Sequence, residues 1–127
     1  MGSVGASTTN IILKQIQAMV NPQDIQAGYT DYEINNLFPV VSIPNKNVRS
    51  NPIQATEFVD IDKLKTIQPE LSFNVLKEYL TDSQSSVSSS DLPVVTKYKG
   101  YYVLLDGNHR AAIEKLRGYS KLKVHIV

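Results

Sequence analysis

The sequence contains no cysteine, and this absence removes a whole class of chemistry. Disulfide bonds, thiolate catalysis and zinc sites with cysteine ligands are all excluded. Histidine is also scarce, since only His109 and His125 occur among the 127 residues. A bound metal ion would therefore need carboxylates and water molecules as its main ligands.

Long hydrophobic runs are absent as well. No segment approaches the roughly 18 consecutive apolar residues of a membrane-spanning helix. The N-terminus lacks the basic start and apolar core of a secretory signal, so the sequence predicts a cytoplasmic protein with no membrane partner. A hydrophobic content of 42% and a charged content of 20% are typical of a globular protein. The length of 127 residues suffices for one compact core.

The chain as a whole has no large excess of charge, because the formal net charge is only +1. The charge is nevertheless uneven. Residues 57–91 contain seven acidic residues and three lysines, whereas residues 97–125 contain seven lysines or arginines and only two acidic residues. A polyanionic ligand would suit this basic part, although scattered lysines are also ordinary on a solvated surface.

The N-terminal part predicts two amphipathic helices. Apolar residues recur at near-helical spacing from Asn10 to Val20, and Asn21-Pro22 would end that helix. Its N-cap would be one of three polar residues: Thr8, Thr9 or Asn10. A second short helix, beginning at Thr30-Asp31, would bury three apolar residues: Ile34, Leu37 and Phe38. We interpret residues 10–38 as a helical hairpin that docks on the main domain or forms a homodimer contact.

The main domain is predicted over residues 57–127, after an N-terminal helical extension and connector over residues 1–56. The connector from residue 39 contains three prolines and includes a short strand predicted at Val40–Ile43. Thr81 to Asp91 contains six serines in eleven residues, which favours a flexible loop. The remaining pattern predicts strands at residues 58–61, 94–98, 101–105 and 122–127, and helices at residues 73–80 and 110–117. The fold class is therefore α/β of the α+β type, with a small mixed sheet packed on helices.

The candidate site is the stretch from Asp106 to Arg110, between a predicted strand and a predicted helix. Backbone N–H groups at a helix start, together with a fixed positive charge, favour a phosphate group. Gly107 would supply a positive φ or let a ligand approach the backbone closely. Arg110 would bind phosphate through two hydrogen bonds, or would pair with Glu114 one turn later.

The other three residues of this stretch each have two interpretations. Asp106 would hold a divalent metal ion or accept a proton, or else bond the backbone N–H groups that follow it. Asn108 would contact the phosphate or act as an ordinary N-cap. His109 would transfer a proton, or else shape the loop through hydrogen bonds.

At these residues the sequence resembles a known family. The matching runs are Leu92–Val95, Tyr102–Ala112 and Val124–Val127, together with Leu116 and Gly118. They resemble the ParB/sulfiredoxin superfamily, specifically its small ParB-like nuclease domains, over about residues 57–127. Members of this superfamily include partition proteins that bind CTP and DNA, sulfiredoxins, a free-serine kinase, and domains with nuclease or ATPase activity. The resemblance implies that a nucleotide phosphate is held at Gly107, Asn108, His109 and Arg110.

Departures from the family pattern narrow this expectation. Asn108 stands where a sulfiredoxin has its catalytic cysteine, so sulfiredoxin activity is not expected. The turn Asn108-His109-Arg110 also differs from the Glu-Arg-Arg version of partition proteins. No basic residue occurs at Ser72-Phe73-Asn74, where nucleotide-binding relatives often have one.

Two functional hypotheses follow, and a structural domain without a ligand is a third. In the first, the chain is a phosphodiesterase (nuclease) or nucleotide hydrolase in which Asp106 and His109 are catalytic. Asp106 would hold Mg²⁺, and residues 107–110 would bind ATP, CTP or a nucleic-acid backbone. In the second, the chain is a non-catalytic DNA- or nucleotide-binding module of a plasmid, phage or mobile-element protein. Both place the chain in DNA handling.

Overall fold

The computed structural model describes residues 4–19, 31–33, 37–68, 70–81 and 92–127. Within these ranges the chain has a mixed α+β architecture, as the sequence predicts. The helices are α1 (Val4–Met19), α2 (Phe73–Thr81) and α3 (Asn108–Leu116). The strands are β1 (Asp31–Glu33), β2 (Ala55–Asp60), β3 (Lys65–Thr66), β4 (Glu70–Ser72), β5 (Val94–Tyr98), β6 (Tyr101–Asp106) and β7 (Lys121–Ile126). Two short 3₁₀ helices cover Lys46–Ser50 and Ile61–Lys63.

Five strands form one mixed sheet in the order β2-β7-β5-β6-β3. The β2/β7 and β5/β6 pairs are antiparallel, whereas the β5/β7 and β3/β6 pairs are parallel. Strand β6 therefore lies between β5 and β3, and its C-terminal end leads directly into α3. This arrangement places the turn after Asp106 beside Pro93, which precedes β5, and beside the residues that follow β3.

The hairpin of β5 and β6 turns where the sequence predicts. Lys99 and Gly100 both have positive φ angles, +52° and +84°, which is the geometry of a tight two-residue hairpin turn. The flanking strands are rich in β-branched and aromatic residues, which suit a pleated sheet.

The main hydrophobic core lies between the helices and one face of the sheet. Leu104 of β6 and Val95 of β5 are fully buried there against Ile113 of α3. Helix α1 packs against α2 and α3 and contributes Ile12 and Ile16, which are 2% and 0% exposed. These two side chains of α1 are therefore covered within the chain, whereas Ile11 is 59% exposed. The homodimer contact through residues 10–38 stays a prediction.

The opposite face of the sheet has a second, smaller core. Val103 and Leu105 alternate with Leu104 and so point to the other side of β6. They are buried with Val127 and with Ile43, a residue of the predicted connector. Val41 and Val48 also pack against this core, so this part of the connector lies on the sheet rather than leading away from it. In addition, Lys115 of α3 donates a hydrogen bond to the carbonyl of Leu37.

Several predictions for the N-terminal half are wrong. Helix α1 begins at Val4, so Thr8–Asn10 lie inside it instead of capping it. No proline interrupts Val4–Thr9, and extending a helix is easier than starting one. Residues Asp31–Glu33 are not helical; they form β1, because the backbone of β4 offers them an antiparallel partner. Of the strand predicted at Val40–Ile43, only a single bridge from Val40 to Thr66 is present.

Other predictions are confirmed or lie outside the described residues. Leu37 and Phe38 are buried as predicted, although without a helix. Ile34 and residues 82–91 of the serine-rich segment lie outside the described ranges. Among the described residues, no helix is both long enough and apolar enough to span a bilayer.

Candidate functional site

The turn between β6 and α3 depends on glycine at position 107. Gly107 has a φ of +78° and is the N-cap of α3. A Cβ atom at this position would lie 2.7 Å from the Cα of Pro93, so the turn is also closed on one side by packing. Both the backbone conformation and the lack of space exclude a larger residue.

Asp106 makes a hydrogen bond to the backbone that follows it, which is one of the two roles that the sequence suggests. Its Oδ1 accepts a hydrogen bond from the N–H of Gly107 at 2.9 Å, and its side chain lies at the surface. Among the described residues, no group of three or more side chains is arranged to hold a metal ion. The metal-binding role of Asp106 therefore stays a prediction.

Asn108 is buried, with an exposed fraction of 3%, and is the first helical residue of α3. The N-cap interpretation is wrong, because Gly107 occupies that position without any side-chain hydrogen bond. Asn108 instead accepts a hydrogen bond from the hydroxyl of Thr66 through its Oδ1. Its Nδ2 donates to the Oε1 of Gln68 at 3.5 Å. Asn108 therefore ties the start of α3 to the end of β3.

Thr66 and Gln68 complete a small polar network beneath the turn. The hydroxyl of Thr66 accepts a hydrogen bond from the N–H of Gln68 at 3.1 Å, and Nε2 of Gln68 donates to the carbonyl of Glu70 at 2.6 Å. Sequence reasoning missed both residues. No local pattern could find them, because Thr66 and Asn108 are 42 positions apart.

His109 connects the first turn of α3 with the start of α2. Its Nε2 accepts a hydrogen bond from the N–H of Ser72 at 2.8 Å, so that nitrogen carries no proton in this arrangement. The ring of Tyr79 stacks on His109, with 6.4 Å between centroids and 13° between planes. Ser72 caps α2 as predicted, since its Oγ accepts from the N–H of Val75 at 3.3 Å. His109 thus shapes the loop through a hydrogen bond, which is one of the two roles that the sequence suggests.

Arg110 makes the predicted ion pair with Glu114. The Nε of Arg110 lies 3.6 Å from Oε1 of Glu114, and Nη1 of Arg117 lies 2.9 Å from the same oxygen. One carboxylate is therefore shared by two guanidinium groups, so positive charge remains for an anionic ligand. The Arg110 side chain is 20% exposed.

Arg110 also lines a groove of about 230 Å³ beside the turn. We call it the aromatic groove; its lining includes Phe58, Pro93, Arg110, Tyr119, Lys121 and Lys123. Because Pro93 also packs against Gly107, the groove adjoins the turn. At its rim, Lys121 donates a hydrogen bond to Asp60. This bond and the charge of Lys121 hold the pKa of the Asp60 carboxyl below its ordinary value.

Comparisons with known proteins find a relative that matches part of the chain. No protein-family model matches the chain. No solved structure matches it. The uncharacterized protein MJ0188 of Methanocaldococcus jannaschii is similar, with 28% identity over 71 residues. The similar region covers 56% of this chain. It covers only 27% of the length of the archaeal protein.

Proposed function

We propose that this chain binds a phosphate-bearing ligand, a nucleotide or a nucleic-acid backbone, at Gly107, Asn108, His109 and Arg110. The observation that carries the proposal is the first turn of α3, which is fixed from three directions. Pro93 closes on Gly107, Thr66 holds Asn108, and Ser72 holds His109.

A fixed first turn favours ligand binding because the first N–H groups of a helix have no hydrogen-bond partner within the helix. They carry the positive end of the helix dipole and suit a phosphate group. A backbone already held in one conformation loses little entropy when a ligand binds, which increases affinity. The side chain of Arg110, beside the turn, adds a charge that two of the phosphate oxygens can share.

The contacts of Asp106 and His109 favour binding over catalysis. Asp106 Oδ1 is engaged with the backbone of Gly107, and His109 Nε2 is engaged with the backbone of Ser72. The first proposal is therefore a binding module, and the resemblance to ParB-like domains implies a role in DNA handling. Hydrolysis of a phosphodiester or nucleotide is the second candidate; it is supported by the resemblance to ParB-like nuclease domains and by the carboxylate and imidazole beside the turn.

A thermal-shift screen tests the proposal. ATP, ADP, CTP and oligonucleotides are each added with and without Mg²⁺, and a ligand that binds only the folded chain must raise the melting temperature. The matched variants are Arg110→Gln and Arg117→Gln, because both arginines contact Glu114 and only Arg110 lines the aromatic groove. We expect Arg110→Gln to reduce the shift and Arg117→Gln to retain it. A chain whose melting temperature responds to none of these ligands contradicts the proposal.

A further inference from the structure

Two large aromatic side chains in the aromatic groove are mostly exposed to solvent. Phe58 is 66% exposed and Tyr119 is 56% exposed. Phe58 lies on β2 directly opposite Lys123 on β7, and the Lys123 ammonium is 6.0 Å from the centre of the Phe58 ring. Aromatic rings left in water beside cations are typical of a binding surface, because a ring face can take both a flat ligand and a positive charge.

A second groove, of about 530 Å³, adjoins the first. We call it the lysine groove; its lining includes Lys63, Lys65, Tyr101 and Tyr102. Phe58 and Lys121 line both grooves, so the two form one continuous surface. This surface runs from Arg110, at the proposed phosphate site, past Phe58 to the hairpin of β5 and β6.

The charge of this surface suits a chain of phosphates. It carries five basic side chains: Lys63, Lys65, Arg110, Lys121 and Lys123. It also carries three acidic side chains, Glu57, Asp60 and Glu114, so five basic and three acidic groups leave a net charge of +2. Asp60 pairs with Lys63 and Lys121, and Glu114 pairs with Arg110. Cationic grooves with interleaved aromatic rings bind single-stranded nucleic acids, because the bases stack on the rings while the phosphates meet the cations.

We propose that the two grooves together bind a single-stranded nucleic acid, with unpaired bases stacked on Phe58 and Tyr119. The phosphates of the strand lie beside Lys121, Lys123 and Arg110. The proposal rests on the proposed function, because it extends the phosphate site at the start of α3 and specifies its ligand. A mononucleotide would occupy one groove only, and a duplex would hide the base faces that the rings require.

Fluorescence anisotropy with a labelled single-stranded oligonucleotide of about twelve nucleotides tests this directly. Phe58→Ala and Tyr119→Ala should each weaken binding about ten-fold, the typical effect of losing one stacked base. Tyr119→Phe keeps the ring and should therefore bind the strand more tightly than Tyr119→Ala. Ile53→Ala is the matched control, since Ile53 is 55% exposed and lines neither groove.

The same titration with the duplex form and with ADP separates the two proposals. The inference is supported if the wild type binds the single strand more tightly than the duplex and if Phe58→Ala or Tyr119→Ala removes this preference. Equal affinity for single strand and duplex, unchanged by Phe58→Ala and Tyr119→Ala, overturns it. Binding of ADP without binding of the oligonucleotide overturns the inference and leaves the proposed function standing. Binding of neither overturns both.

Discussion

The hydroxyl of Thr66 donates a hydrogen bond to the side-chain carbonyl of Asn108, and both side chains are almost completely buried. Thr66 ends β3, whereas Asn108 begins α3. One bond therefore sets the position of the helix start relative to the edge of the sheet. The geometry of the proposed phosphate site depends on this bond as much as on the residues that would touch the ligand.

The first prediction tests that bond. Thr66→Val removes the hydroxyl without changing the shape of the side chain, and should lower the free energy of unfolding by about 1–3 kcal/mol because Asn108 Oδ1 loses its partner. Urea denaturation measures the change. Thr66→Ser keeps the hydroxyl and should lower the free energy of unfolding by less. In a double-mutant cycle with Asn108→Ala, strictly additive effects would show that the two side chains are not coupled.

The second prediction concerns the glycine of the turn. Gly107→Ala must adopt a positive φ and also press against Pro93, so it should destabilise the chain by roughly 2–4 kcal/mol. Gly118→Ala is the matched control: Gly118 has a φ of +88° but open space around its Cβ position. It should cost only about 1–2 kcal/mol. Equal melting temperatures for the two variants would contradict the close approach of Pro93.

The features that the sequence predicts correctly are mostly local ones. Lys99-Gly100 marks a hairpin turn and Ser72 marks a helix start through signals a few residues long, and both are confirmed. The bond between Thr66 and Asn108, and the pairing of β1 with β4, join positions far apart in the chain. Such contacts depend on tertiary packing, which hydrophobic periodicity does not encode. For the same reason local pattern offers Asn108 as an N-cap, a position that Gly107 occupies instead.

The third prediction separates the two roles considered for His109. His109→Ala removes the acceptor for the Ser72 N–H, so we expect stability to fall by about 1 kcal/mol and ligand affinity to fall with it. His109→Gln offers an amide oxygen to the same N–H and should recover part of both. Thermal unfolding and oligonucleotide titration measure these effects. A wild type that hydrolyses its ligand, and a His109→Ala variant that binds normally without turnover, would instead establish proton transfer.

The fourth prediction is a pH dependence at the edge of the sheet. The hydrogen bond and charge of Lys121, with a smaller effect of Lys63, hold the pKa of Asp60 below its ordinary value. The ion pair therefore stabilises the fold above the unfolded pKa of about 3.9, and this contribution is lost as the pH falls through the lower folded value. Asp60→Asn should be less stable than the wild type at neutral pH and should converge with it in acid. Because the Asp60 side chain is 38% exposed, the difference should be small and should shrink in about 1 M salt.

The last prediction asks whether α1 belongs to the core of its own chain. Ile16 of α1 is fully buried among residues of α2 and α3, whereas Ile11 on the same helix is 59% exposed. Ile16→Ala should therefore lower the free energy of unfolding by about 2–5 kcal/mol, and Ile11→Ala should change it by no more than about 0.5 kcal/mol.

Deletion of residues 1–50 extends this comparison, because it removes α1 together with Ile43, a member of the second core. We expect the truncated chain to be unfolded or insoluble and the full-length chain to run as a monomer in size-exclusion chromatography with light scattering. The expectation is contradicted if the truncated chain folds and still binds its ligand while the full-length chain is a dimer. Such a result would show that α1 covers a partner's surface rather than its own, and would support residues 10–38 as a dimer contact.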